Sequence, residues 1–141
     1  AGELGTWDVL DPLYTVPRRD KPELFSMGST AYRASFYDFY QAFLVYYEQA
    51  ATCGQLFSKP AQPNMMGVTA MPGLHFSSFA FGDPEGKPDF SPFIVLGRYE
   101  WQAGKTILPV FAEFAHAVND GQQISRFFQL LEETMRAFTT L

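Results

Sequence analysis

Apolar residues at Phe36, Phe39, Phe43, Tyr46 or Tyr47 and Ala50 recur at three- and four-residue steps, the spacing of one helix face. A helix is predicted there, opened by Ser29 or Thr30 as N-cap and stopped at Gly54. A second stripe, Ile124, Phe127, Leu131, Met135 and Phe138, predicts a final helix from about Gln122 to Thr139. It is entered through Asn119-Asp120-Gly121, whose side-chain oxygens can cap free N–H groups. Gly5 to Leu10 and Leu13 to Val16 are short β-prone runs broken by Asp11-Pro12, which predict a hairpin followed by a solvated loop from Pro17 to Pro22. Met65 to Met71 and Leu74 to Gly82 are candidate strands, bordered by the proline-marked loop Phe57 to Pro63 and the turn-rich Asp83 to Pro88. Phe93 to Trp101 and Thr106 to Val118 predict two further strands, joined by Gln102-Ala103-Gly104-Lys105 and paired antiparallel. Strands interspersed with helices give an α/β class, a mixed β-sheet covered by helices.

The length of 141 residues predicts a single domain over 1–141, and no fixed-period repeat divides it. With 47% hydrophobic and 18% charged residues the chain can bury a core. Its aromatic share of 17%, carried by 15 Phe, 7 Tyr and 2 Trp, exceeds what a core of this size normally uses. Either the core is unusually aromatic, or aromatic surface is reserved for a ligand or another subunit.

Charge and composition remove several functions. Cys53 stands alone and, with only His75 and His116 beside it, cannot assemble a usual structural zinc set, so no metal is expected. The longest mostly apolar stretch, Ile107 to Val118, is interrupted by Glu113 and is shorter than the ~20 residues a bilayer demands, so no membrane helix is expected. The excess of 15 acidic residues over 10 Lys plus Arg offers no basic field for nucleic acid. Ala1-Gly2-Glu3-Leu4-Gly5 lacks the basic and then apolar pattern of a secretory signal, which makes the cytoplasm the default.

One stretch combines a titratable base with a sharp structural change: Phe114-Ala115-His116-Ala117-Val118-Asn119-Asp120-Gly121, at a predicted strand end leading into a helix. Histidine, with an unperturbed pKa of about 6.5, accepts and returns a proton near neutrality. Flanking Ala and Val residues predict a partly desolvated His116 ring, which favours the neutral, proton-accepting form. Taken alone, a histidine on an apolar strand is more often a satisfied core residue than a base.

His116-Ala117-Val118-Asn119-Asp120-Gly121 resembles the His-x-x-x-Asp-Gly signature of the trimeric, type A chloramphenicol acetyltransferase family. Gly2-Glu3-Leu4, Trp7-Asp8, Tyr14-Thr15-Val16, Phe25-Ser26, Asn64-Met65, Ala70, Pro72, Phe76, Ser78-Phe79, Pro92, Tyr99, Gly104, Lys105 and Pro109 fall in that family's order and nearly its spacing. The catalytic domain of 2-oxoacid dehydrogenase complexes shares the signature, but the flanking matches favour the antibiotic-modifying family. The resemblance implies a two-layer sandwich, the CoA-dependent acyltransferase fold, working as a homotrimer with sites between subunits. It implies acetyl transfer from acetyl-CoA to a hydroxyl of chloramphenicol without a covalent enzyme intermediate, conferring antibiotic resistance. His116 would be the general base, and Thr69, where the family has a serine, would donate to the oxyanion and stand near coenzyme A. Asp120 would be a structural partner of an arginine. Phe25, Met27, Phe57, Phe79, Phe81, Phe93 and Val95 would line the apolar acceptor slot, and Tyr99 would contact coenzyme A. His75 acquires no role and reads as a surface strand residue.

The chain departs from the family pattern in three places. Ala115 replaces the first of two histidines, leaving the catalytic position intact. Val95 replaces a threonine that orders a water, a hydrogen bond valine cannot make. The match begins well inside the family's chain, so the domain is expected to be N-terminally incomplete, without the arginine that pairs with the aspartate. Arg18, Arg19, Arg33, Arg98 and Arg126 are candidate substitutes. Two rival functions therefore stand beside the first: a related CoA-dependent acyltransferase with another acceptor alcohol, and a non-catalytic, trimer-forming remnant of the fold.

Overall fold

The computed structural model describes residues 5–80 and 90–138. The elements run β1 (Asp11–Pro17), β2 (Phe25–Ser29), α1 (Phe36–Thr52), β3 (Met65–Ala70), β4 (Phe93–Leu96), β5 (Glu100–Gln102), β6 (Lys105–Ile107), β7 (Val110–Glu113) and α2 (Gly121–Ala137). Five strands form one mixed sheet in the order β2-β1-β3-β4-β7, and β5 and β6 form a separate hairpin. β1 runs parallel to β3, and β3 parallel to β4, while β2 and β7 add to the outside antiparallel. This is the mixed sheet expected of the class.

The core lies where α1 covers β1 and β2. Tyr14, Val16, Ala50 and Ala51 are buried together, with Phe43 packed against them. Gly28 makes the close approach possible, because a Cβ there would stand 2.7 Å from the Tyr14 ring and 3.2 Å from the Ala50 methyl. The polar groups trapped beneath the helix are paired. Tyr14 Oη and the buried Thr30 Oγ1 are 2.7 Å apart, and Ser26 Oγ donates to the Gln55 carbonyl at 2.7 Å.

These contacts explain where the sequence pattern misleads. Gly5 to Leu10 forms no strand, and the hairpin partner of β1 is β2. Ser29 and Thr30 end β2 and are buried, so α1 is capped by Ser35, whose hydroxyl accepts from the Asp38 N–H. Gly54, at φ +70°, ends the helix as predicted. Residues 74–80 are irregular, and Phe81, Gly82 and the predicted loop Asp83 to Pro88 lie outside the described residues. The two long strands predicted beyond Phe93 each break in two. Gly97 and Arg98 turn their N–H groups to the carbonyls of Pro109 and Leu74, and Pro109, with no N–H of its own, separates β6 from β7. The β5–β6 turn has Ala103 at φ 49° and Gly104 at φ 80°, the paired positive values of a tight two-residue hairpin.

α2 begins with a capping box: the Asp120 carboxylate accepts from the Gln123 N–H at 2.9 Å while the Gln123 side chain accepts from the Asp120 N–H at 2.8 Å. No residue of this helix is buried, although Phe127 meets Phe114 edge-on at 5.2 Å and Phe138 meets Phe36 at 4.5 Å. Much of the aromatic excess is surface, with Trp101, Tyr99, Tyr37 and Phe138 among the exposed rings.

Candidate active site

Cross-strand register places Met27 opposite Thr15, Thr69 opposite Val95, and Val95 opposite Phe111. The parallel pairing of Tyr14 with Val68 puts Thr15 beside Thr69, and their Oγ1 atoms lie 3.3 Å apart. One row thus crosses all five strands of the large sheet. Because side chains alternate along a strand, Phe25 shares this face with Met27, Gly67 with Thr69, and Phe93 with Val95. Tyr14 and Gly28 point to the other face, under α1, so the row lies on the side away from that helix.

Around Thr69 this face is apolar. Val95 is fully buried and forms its floor, whereas Thr69 is half-buried and Thr15 exposed. The Phe93 ring lies across the bare Cα of Gly67. Phe57 is bridged to Met27, held by Met27 N–H donating to Leu56 O at 2.6 Å and Ser58 N–H donating to Met27 O at 3.1 Å. Phe79 packs on Phe111 at 5.9 Å and on Phe76 at 6.0 Å, which carries it over the β7 end of the row. Phe25, Met27, Phe57, Phe79, Phe93, Val95 and Thr69 therefore gather on or beside one face. Phe81 lies outside the described residues.

His116 stands elsewhere. It occupies a turn after β7, closed by the N–H groups of Val118 and Asn119 donating to the Ala115 carbonyl, both at 3.1 Å. A turn, unlike the predicted strand end, leaves the ring exposed, so the expected desolvation is not found in the single chain. His116 Nδ1 lies 3.2 Å from the Asn119 carbonyl, which can only accept. A hydrogen bond there has the Nδ1–H as its donor. Thr69's row crosses β7 at Phe111, and His116 lies beyond the end of that strand, so no hydrogen bond joins the two among the described residues.

Asp120 serves as the cap of α2 and makes no ion pair among the described residues. Of the arginines considered as partners, Arg18 pairs with Asp20 and Arg19 with Glu48. Tyr99 is 69% exposed between β4 and β5. His75 lies on the irregular segment, not on a strand, with its Nε2 2.6 Å from Glu100 Oε1. The Glu100 carboxyl is held below its ordinary range, chiefly by the Gln102 amide and then by His75. Among the described residues no group of three or more His, Cys, Asp or Glu side chains could hold a metal ion, and no helix is long and apolar enough to cross a membrane. Thr15 and Phe111 are the members of the row that the sequence did not nominate, since a threonine or phenylalanine on a strand carries no chemical signal until its register is known.

The family model for chloramphenicol acetyltransferase matches residues 1–132. The chain belongs to the chloramphenicol acetyltransferase family. It is 33% identical over 140 residues to a chloramphenicol acetyltransferase of Clostridium perfringens, matching 99% of this chain and 64% of that protein. It is 31% identical over 130 residues to one from Bacillus pumilus, matching 92% of this chain and 59% of that protein. The chain thus spans about 60% of the length of these curated relatives. A solved chloramphenicol acetyltransferase superposes with a TM-score of 0.69 at 18% identity, over 90% of this chain and 62% of that one, which establishes the fold. The mixed sheet described above is the fold this similarity shows, and His116 and Asp120 fall on the turn and the cap leading into α2.

Proposed function

We propose that this protein is an acetyl-CoA-dependent O-acetyltransferase acting on a hydroxyl of chloramphenicol. The observation that carries the reading is the sheet face on which the Thr69 hydroxyl, with that of Thr15 beside it, stands among Phe25, Met27, Phe93 and Val95, a face otherwise suited to an aromatic acceptor. In the proposed reaction His116 Nε2 takes the proton of the acceptor hydroxyl as its oxygen attacks the thioester carbonyl. The Thr69 hydroxyl donates to the resulting oxyanion. Collapse expels the coenzyme A thiolate, which recovers the proton from the imidazolium, giving the acetyl ester and free coenzyme A. The Asn119 carbonyl supports this role for His116 by holding Nδ1 as the donor. Tyr99, exposed beside β5, is assigned to coenzyme A.

The proposed working unit is a homotrimer in the cytoplasm, with His116 of one subunit facing the Thr69 slot of the next. Support comes from the position of His116, away from Thr69 in its own chain, and from the exposed rings of Tyr99, Trp101 and Tyr37. Val95, which cannot order a water, favours a second reading in which the acceptor is a different alcohol. Thiol release from acetyl-CoA, followed with chloramphenicol and with a panel of other alcohols, tests both. Chloramphenicol-dependent release is expected. Release no faster than that of folded His116→Ala with every acceptor overturns the enzymatic reading.

A further inference from the structure

We propose that Thr15 is a positioning residue for Thr69, a reading that rests on the oxyanion role given to Thr69 above. Thr15 and Thr69 project from neighbouring parallel strands, with their hydroxyl oxygens 3.3 Å apart. On the opposite side of Thr69 stands Val95, which has no hydrogen-bonding group. Among the described residues Thr15 is therefore the side chain that can orient the Thr69 hydroxyl.

The chemistry gives the pair a direction. A threonine hydroxyl has one hydrogen and two lone pairs. If Thr69 spent its hydrogen on Thr15, none would remain for an oxyanion. With Thr15 donating to Thr69 Oγ1, the Thr69 hydrogen is free to point into the slot. The donation also polarises that O–H bond and makes it a stronger donor as negative charge develops on the substrate. It further selects one χ1 rotamer, because rotation that exchanged Oγ1 with the methyl would break the contact. In this arrangement Thr15 acts on the reaction through Thr69.

Thr15→Val removes the hydroxyl at nearly constant volume, and Thr15→Ser keeps it. The expected result is a fall in kcat of roughly three- to tenfold for Thr15→Val, the effect of one lost hydrogen bond, with KM for both substrates within about twofold. Thr15→Ser is expected to stay within about twofold of the parent in kcat. An unchanged kcat in Thr15→Val, a loss confined to KM, or an equal loss in Thr15→Ser overturns the proposal. Three-bond NMR couplings to the Thr69 methyl provide a readout independent of turnover: a single rotamer is expected in the parent and in Thr15→Ser, and rotamer averaging in Thr15→Val. If the parent shows no chloramphenicol-dependent thiol release, the reading of the site fails on its own account. The couplings then decide Thr15 separately, and unaveraged couplings in Thr15→Val overturn its positioning role.

Discussion

The ring of Phe93 lies across the Cα of Gly67, its partner on the neighbouring parallel strand, so closely that a Cβ at position 67 would overlap the ring carbons. The glycine is what lets the ring lie flat beside Thr69. Gly67→Ala is therefore expected to lift Phe93 from the face, costing about 1–3 kcal/mol as an overpacked site does. Denaturant unfolding measures that cost. The acceptor slot is reshaped with it, and KM for chloramphenicol is expected to rise several-fold more than KM for acetyl-CoA.

Asp120 acts through its side-chain oxygen as the cap of α2. Asn presents the same acceptor geometry without the charge. Asp120→Asn is expected to unfold at a denaturant concentration close to the parent's, whereas Asp120→Ala loses about 1 kcal/mol. Equal destabilisation by both substitutions would mean that the charge, and not the cap, is what α2 requires.

The Glu100 carboxyl is held low by the Gln102 amide and then by His75. A carboxyl whose folded value is depressed contributes stability above its unfolded value of about 4.3, and that contribution is lost as pH falls through the lower folded value. Gln102→Ala is expected to move the Glu100 titration, followed by carboxyl-carbon NMR, up toward the ordinary range. His75→Ala is expected to move it in the same direction by less. Glu100 is partly open to solvent, which screens the pair, so overall stability changes little in either variant.

Both helices were legible as periodicity, because each carries an apolar stripe, and β3 as the run from Met65 that follows a proline-marked loop. β2 was not. Its small residues Ser26 and Gly28 face the core, and its larger ones, Phe25 and Met27, face away from α1. Hydrophobicity along that strand is inverted by the closeness of Ala50, a tertiary fact that no local pattern carries. The candidate strand from Leu74 to Gly82 failed over its described residues, 74–80, for another reason: Phe76 and Phe79 pack on Gly97 and Phe111 from an irregular backbone. Of the candidate site, His116 and the phenylalanines were nominated by resemblance. That Thr15 meets Thr69 depends on strand register, which appears only once β1 and β3 are paired.

The role proposed for His116 Nε2, as the base in acetyl transfer to chloramphenicol, is checked most directly by the rate at which O-acetylated chloramphenicol, identified by its mass, forms from acetyl-CoA with the parent protein and with His116→Ala. Loss of a positioned general base predicts a fall of roughly 10²- to 10⁴-fold in kcat, with circular dichroism unchanged. A folded His116→Ala that forms the acetylated product at the parent's rate would contradict the account.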